Sequence, residues 1–579
     1  MGQLSGREPQ PAGRVVRVSG PLVQVEGLAD VSMSELVELG RQGIPGEVVA
    51  IRDTVVTVQA YDYTGGLAPG APVVALGRPL SARLGPQLLG GVFDGLLRPL
   101  TAAPTWLGSL AAWRPPPTRW TWKPSVADGA LVTEGMVLGT VPAPGVEYRV
   151  LVPPGVSGRV GDLAQPGPHE PQEVLATVAG VAVRMGTDWP VRRGRPVRRR
   201  VDADEPLLTG QRVLDAVFPV ARGSSAAVPG GFGTGKTMLL QQIAKWCTAD
   251  VIVYVGCGER GNEMADVLAE LAELTDPRTG RRLAERIVVI ANTSNMPMMA
   301  REASIYTGVT VAEFFRDMGY HAVVIADSTS RWAEALREFA SRSGALPAEE
   351  GFPAALPSAL AAFYERAGRV VTLGGAEASV TIIGAVSPPG GDITEPVTAH
   401  TQRFVRGLWS LDRDLAYARH YPAVGWAGSF SRDAEKLGVW YARNGDPEWA
   451  RRRARVASTL AEADRLRELA ELVGAGSLPG HERVVLLAGR LLREGVLQQN
   501  ALSPNDAHCT AAKTAALIDA VLAVVDRCDA LVDRVVAATE IEEVDFSPLL
   551  RAAQETPPDG ADLVAARREQ VLSVLGELR

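Results

Sequence analysis

The eight residues Gly230-Gly231-Phe232-Gly233-Thr234-Gly235-Lys236-Thr237 constrain this chain more than any other feature. They fit G-x-x-x-x-G-K-[ST] at every defined position, the pattern of a phosphate-binding loop. Glycines let backbone N–H groups close around phosphate oxygens, and the helical pattern that follows (MLLQQIAKW) presents its positive N-terminus to them. Lys236 suits the β/γ oxygens and the Thr237 hydroxyl suits a magnesium ion. Only five of the 59 basic residues are lysines (Lys123, Lys236, Lys245, Lys436 and Lys513), so a lysine at the required place is informative. Such a loop also needs a setting: an apolar strand before it, a helix after it, and a parallel sheet whose strand ends carry further polar groups.

That setting is present. From about residue 186, buried-strand runs (VIVYVG, 251–256; RIVVIAN, 286–292; AVVIAD, 322–327; SVTIIGAV, 379–386) alternate with helix-length segments, which predicts a parallel sheet covered on both faces. Asp327 closes HAVVIAD, as the metal-side carboxylate of a phosphate-loop protein does, or else caps the following helix STSRWAEALRE. Glu259, in YVGCGERGNE, emerges at the carboxyl end of the strand after the loop helix, where it can orient and polarise an attacking water. Arg260 has two partners open to it, Glu263 and a phosphate.

The rest of the chain is organised around this core. Residues 14–26 (RVVRVSGPLVQVE) alternate apolar and polar around Ser19-Gly20-Pro21, and EVVAIRDTVVTVQAY alternates again with Asp53 in a turn, predicting a small β-barrel up to about residue 75. A Pro/Trp-rich passage from Pro104 to Pro124, with Trp106, Trp113, Trp120 and Trp122, holds no period. Short strands and glycine turns resume over 126–185 and read as a β-rich insertion. Part of it is similar to the barrel halves of lipoyl-type domains, without a lysine at the hairpin tip. Beyond about 430 the pattern is helical, with apolar residues at i, i+3, i+4 and i+7 in ERVVLLAGRLLREGVLQQ and AALIDAVLAVVDRCDALVDRVVAA.

Composition excludes several classes. A chain of 579 residues is too long for one hydrophobic core, and 46% hydrophobic with 22% charged residues is the balance of a globular protein. The net charge of −7 lends no general support to nucleic-acid binding. No stretch approaches the ~18 apolar residues of a membrane span, and Met1 to Gly13 has no apolar signal core. The four cysteines (Cys247, Cys257, Cys509, Cys528) form no C-x-x-C pair, and the six histidines show no ligand spacing. Cys257 reads as a buried small residue. The arginine-rich run VRRGRPVRRR (192–200) lacks interleaved aromatics and is followed by Asp202, Asp204 and Glu205, so a solvated or subunit-contact strand is favoured over a nucleic-acid patch.

Taken together, TGQRVLDAVFPVARGSSAAVPGGFGTGKT, VGCGERGNEMADVLAEL, NTSNMPMMAREASIYTGVTVAEFFRDMGY, ADSTSRWAEALRE, PAEEGFPAAL, SPPGGDITEPVT, HYPAVGW and LQQNA resemble the catalytic A subunit of V/A-type rotary ATPases, in order and from about Arg14 to about Asn505. The resemblance implies a multidomain α/β chain. Its parts would be an N-terminal β-barrel (1–75), the start of the nucleotide-binding domain (76–109), a bulge insertion (110–185), a RecA-like core with a mainly parallel sheet (186–430) and a C-terminal helical bundle (431–579). It marks Gly77–Leu100 as belonging to the nucleotide domain. It also implies an enzyme that hydrolyses or synthesises ATP, with ATP/ADP and Mg2+ as ligands, coupled to proton or sodium transport. Three A subunits would alternate with three B subunits in an A3B3 ring, each B subunit supplying an arginine in trans. Central and peripheral stalks would join the ring to a membrane rotor at the cytoplasmic face, and no nucleic acid would be bound.

Position by position, the resemblance gives Gly230, Gly231, Gly233, Thr234, Gly235, Lys236 and Thr237 to the phosphates. Thr237 and Asp327 go to the metal, Glu259 to the water, and Arg260 to the phosphate region. Phe232 and Tyr421 fall on aromatic positions near the adenine ring, and Leu502 stands where the family usually places an aromatic against it. Thr234 replaces the cysteine of eukaryotic relatives, so a redox switch there is absent. Two other ATPase motors share parts of the pattern. A type III export or flagellar ATPase has barrel, core and helical end but lacks the insertion and NMPMMAREAS. A Rho-like RNA translocase would need a basic, aromatic N-terminal domain, whereas 14–75 is acidic-leaning with few aromatics.

Overall fold

The structure is a computed structural model that describes residues 13–101, 118–276 and 279–578. Trp106, Trp113, the polar N-terminus before Gly13 and the expected start of the insertion at 110 lie outside the described residues. Contacts divide the chain into two compact units, Met1–Val201 with Asp250–Ile382, and Asp202–Ala249 with Ile383–Arg579.

The first unit begins with a closed six-stranded barrel: β1 (Gly13–Ser19), β2 (Leu22–Glu26), β3 (Glu35–Leu39), β4 (Ile44–Arg52), β5 (Val55–Ala60) and β6 (Pro72–Pro79), in the order β1-β2-β5-β4-β3-β6. The alternation in the sequence is what closes it: Val15, Val23, Val25, Val37, Val48, Val56, Val58 and Val73 all point to one interior. Asp53 takes the expected turn, with φ of 52° between β4 and β5. The insertion follows as two four-stranded sheets built from Trp120–Val183, one of which packs the fully buried Trp122, whose indole N–H donates to Ala164 O at 3.3 Å. The chain returns at Thr187–Pro190, antiparallel to Ser81–Leu84.

The α/β part of this unit has Val251–Cys257 flanked in parallel by Ile287–Asn292 and His321–Asp327. Val92–Phe93 adds a short parallel strand beside Ile287–Asn292, whereas Gly77–Pro79 still belong to the last barrel strand. All seven residues of Val251–Cys257 are buried, which is why that strand reads as a continuous apolar run rather than an alternation. Helix Met298–Asp317 packs against this sheet.

Most of the arginine-rich run is solvent-exposed, as a solvated strand would be, but several of its arginines are also tied to distant partners. Arg192 pairs with Glu47 at 3.1 Å and Glu302 at 2.9 Å, and Arg195 pairs with Asp317 at 2.6 Å. Arg198 donates to Leu373 O at 2.9 Å and Arg200 to Ala367 O at 3.0 Å. These arginines tie barrel, core and strand together from the surface, Arg195 alone being largely covered. Their acceptors lie 110 or more residues away along the chain, so local composition could not show them.

The second unit contains strand Ser225–Pro229, parallel to Gly407–Leu408, and the phosphate loop followed by helix Lys236–Trp246. Helices Trp449–Val473, Gly480–Leu492, Ala511–Asp533 and Ala561–Glu577 make up its helical end. The buried residues of Trp449–Val473 are Trp449, Arg452, Val456, Leu460, Ala463 and Leu466, the three-and-four spacing of a helix with one face packed.

Candidate functional site

In the second unit the phosphate loop turns through two left-handed glycines, Gly233 (φ 80°) and Gly235 (φ 82°). At Gly235 the need is double, because a Cβ would also come within 3.0 Å of the Tyr421 ring. Thr234 is buried; its hydroxyl donates to Gly231 O at 2.8 Å and pins the loop from inside. Lys236 opens the helix, and its ammonium group donates to Val386 O at 3.5 Å and to the Ser387 hydroxyl. The loop therefore meets the first residues of SPPGGD, and Ser387 is a partner that spacing alone did not reveal. A cation, a helix N-terminus and backbone N–H groups on a rigid turn form a cradle for phosphate oxygens.

Next to the cradle is a cavity of about 500 Å³ lined by Gly235, Met238, Leu239, Tyr421, Leu502 and Gln554, among others. Its walls are mostly apolar and it is large enough for a purine base. Tyr421 and Leu502 thus come together, with Leu502 87% exposed and free to cover a base. Phe232 does not join them. It stands 98% exposed at the loop tip and lines a separate cavity of about 560 Å³ with Gly390, Gly391, Leu411 and Tyr417.

The floor of the base cavity is held by a buried arginine. Arg212 is fully buried; it donates to Val496 O at 2.5 Å and to Gln498 O at 2.5 Å, and pairs with Asp506 at 2.5 Å. Asp506 in turn accepts from Asn500 N at 2.6 Å. The turn before Arg212 is fixed by Asp215, whose carboxylate accepts from Thr209 N at 2.9 Å, the Thr209 hydroxyl at 2.7 Å and Gly210 N at 2.9 Å. Burial nonetheless pushes the Asp215 carboxyl up to about 6, the three hydrogen bonds opposing the shift.

In the first unit, Glu259 and Arg260 follow strand Val251–Cys257 at Gly258, a left-handed glycine (φ 76°) where a Cβ would come within 2.7 Å of Arg331 Cβ. Gly258 N donates to Asn292 O at 2.7 Å and Ser294 N donates to Glu259 O at 2.9 Å, so the end of the neighbouring strand fixes where Glu259 stands. Arg260 is exposed, with Glu263 at 3.9 Å, a weak contact. Asp327 is buried at its strand end and accepts from the Tyr254 hydroxyl at 3.3 Å. Burial first, and then the Asp327 charge, hold the Tyr254 phenol well above its usual range, so it remains a donor to that carboxylate. Cys257 is buried and its thiol is pushed up to about 12 by that burial, as expected of a packing residue rather than a nucleophile. Among the described residues no group of His, Cys, Asp and Glu forms a metal cage of its own.

Comparison with known proteins decides the family. Residues 210–431 match the family described as ATP synthase alpha/beta family, nucleotide-binding domain, and 15–77 its beta-barrel domain. Residues 116–192 match the ATP synthase alpha/beta subunit barrel-sandwich domain, and 438–540 the C-terminal domain of V and A type ATP synthase. The V-type ATP synthase alpha chain of Anaeromyxobacter dehalogenans is 51% identical over 87% of this chain and 88% of its own length. The corresponding A-type ATP synthase subunit from Thermofilum pendens is 44% identical over 98% and 97%. The chain belongs to the V/A-type ATP synthase A-subunit family. It is accordingly a nucleotide-binding enzyme subunit of the ATP synthase type. A solved structure of the assembled ATPase EscN from an enteropathogenic E. coli type III secretion system superposes with a TM-score of 0.64 at 22% identity, covering 89% of this chain and all of that one. At that identity the likeness shows the shared fold alone. Like other V/A-type A subunits the chain is one part of a multisubunit complex, and among its described residues no helix is long and apolar enough to cross a membrane.

Proposed function

We propose that this chain is the catalytic, ATP-hydrolysing and ATP-synthesising subunit of a V/A-type rotary ATPase, bound to the cytoplasmic face of a membrane through its partners and coupled to proton or sodium transport. The observation that carries the reading is the phosphate loop with Lys236 at its helix start, set beside a base-sized cavity walled by Tyr421 and Leu502. Lys236 neutralises the β/γ oxygens on leaving the Val386 and Ser387 oxygens. Gly230, Gly231, Gly233, Thr234 and Gly235 supply the backbone turn, and Phe232 at the tip contributes to the loop's outer face. Glu259 orients and polarises the attacking water, and Arg260 turns toward the phosphate region. Thr237 and Asp327 each offer oxygen, the donor type that suits Mg2+, and bound Mg2+ would draw charge from the phosphate oxygens.

The partners belong to the same proposal: a B subunit that alternates with this chain in an A3B3 ring and supplies an arginine in trans, with central and peripheral stalks linking the ring to the rotor, and no nucleic acid. The five segments 1–75, 76–109, 110–185, 186–430 and 431–579 are proposed as its domain divisions.

The test is magnesium-dependent ATP hydrolysis by the purified chain alone and mixed with its cognate B subunit. A trans arginine is worth ~10³–10⁵ in rate, so activity should be near background alone and rise steeply on mixing. Equal activity in both would favour a self-sufficient homo-oligomeric motor of the export type.

A further inference from the structure

The segment that matches the C-terminal domain family ends at residue 540, yet the base cavity extends past it to Gln554. Gln554 is held there from two sides. Its carbonyl accepts from the Asn505 amide at 3.1 Å, so it is bonded directly to the loop that carries Leu502. Its neighbours are held by Lys513, fully buried, whose ammonium group donates to Asn505 O at 3.0 Å, Ala553 O at 2.8 Å and Thr556 O at 2.8 Å. One lysine thus ties the Leu502 loop to the short helix Ala552–Glu555. A lysine at this depth is costly unless its three donors are met, and here each has a carbonyl.

Each of the other amides around the cavity already has one end engaged within the protein. Gln211 donates to Ala507 O at 3.1 Å, Gln242 accepts from the Trp246 indole at 3.0 Å, and Gln498 donates to Arg419 O at 3.3 Å. Gln499 donates to Gly210 O at 2.9 Å and Asn500 accepts from Leu502 N at 3.0 Å. The Gln554 side-chain amide has no hydrogen bond to a described residue, so both its donor and its acceptor are open to a ligand in the cavity.

We propose that Gln554 reads the 6-amino/N7 edge of the adenine base and that Lys513 is the residue that positions it. The inference rests on the nucleotide reading above and adds a specificity residue to it. Adenine offers a donor at N6 beside an acceptor at N7, which one amide matches with both its groups; guanine and hypoxanthine offer two acceptors there, which one amide cannot match. A one-sided aromatic contact from Tyr421, with Leu502 in place of a second ring, holds any purine about equally well. The amide is therefore what distinguishes one purine from another.

The experiment measures the affinity of the full-length chain for the magnesium complexes of ATP, ITP, 7-deaza-ATP and tripolyphosphate. Wild type should bind ITP and 7-deaza-ATP each about 5–10-fold more weakly than ATP, the lower part of the range for a bidentate amide–adenine pair. Gln554→Leu should bring all three nucleotides within about twofold of one another and leave tripolyphosphate affinity alone. Gln554→Glu keeps the acceptor and loses the donor, so it should erase the difference between ATP and 7-deaza-ATP while still favouring ATP over ITP. Lys513→Met, checked for folding by its thermal transition, should reproduce the Gln554→Leu ratios. Ratios unaltered in Gln554→Leu would overturn the inference. So would a preference for ITP that disappears in Arg419→Leu, which would assign the base edge to that guanidinium. An ATP affinity indifferent to Lys236→Ala would bring down the nucleotide reading itself, and the inference with it. A Lys236-dependent affinity with unaltered ratios would bring down the inference alone.

Discussion

The phosphate cradle and the base cavity adjoin in one unit, but they are assembled in different ways. The cradle is eight consecutive residues, and its shape comes from left-handed glycines and an internal Thr234 hydrogen bond. The cavity draws on residues around 211, 238, 421, 499, 502 and 554, brought together by Arg212, Asp215 and Lys513 acting across long stretches of chain. A contiguous loop can be written as a motif because the chemistry of phosphate fixes its residue types. A pocket for a flat apolar ring needs only volume and a few hydrogen bonds, and many sequences supply those. Within one ligand site, then, the phosphate end is specified by local backbone geometry and the base end by distant side-chain ties.

Four changes would break or sharpen this contrast. Glu259→Gln should give the largest effect, lowering ATP turnover of the assembled enzyme by ~10²–10⁴ while MgATP affinity is retained; full turnover would remove Glu259 from its role. Lys236→Ala should weaken MgATP binding by about two orders of magnitude, since it deletes a charge-assisted contact to phosphate, and calorimetric titration reads this directly.

Asp215→Asn tests the base side through pH. The Asp215 carboxyl lies at about 6 in the fold against an ordinary 3.8, so the native state holds a proton that the unfolded chain has lost between those values. Its neutral form contributes stability that is fully present below pH 3.8 and lost as the pH rises through about 6, on the order of 3 kcal/mol across the interval. Denaturant midpoints should therefore fall from pH 4 to 6.5 more steeply in wild type than in Asp215→Asn; parallel curves would show that the shift is not expressed. Leu502→Phe should give the smallest change, a few-fold gain in affinity for every purine nucleotide from added stacking. A gain confined to ATP would mean that position 502 also senses the base edge.

How much was legible follows the same divide. The barrel could be read because apolar–polar alternation and the turns at Gly20 and Asp53 are local. So could the parallel strands, because burial on both faces leaves an unbroken apolar run such as Val251–Cys257. Glu259 and Asp327 stand at strand ends, where the sequence put them, and their catalytic parts remain proposals. Phe232 shows the limit: an aromatic beside the loop was expected near the base, but it stands exposed and lines another cavity. The arginines of 192–200 show another, since whether an arginine is solvated or braced depends on acceptors that only the fold brings near. Lys513 was conspicuous as one of five lysines, but only the three carbonyls around it explain its place.

The antiparallel pair of Ser81–Leu84 with Thr187–Pro190 brings the two ends of everything between them to within one strand spacing, about 4.8 Å. Beyond Val92–Phe93, which belongs to the nucleotide sheet, the rest of that segment is a side branch whose length is almost a free variable. Each doubling of such a loop costs only about 0.6 kcal/mol in closure entropy. The barrel and the nucleotide sheet meet the same two strand ends whether the branch holds a whole sandwich of sheets or a tight turn. Growth or loss of mass there can change what the outer surface offers to neighbours and leave the register of the catalytic strands as it was.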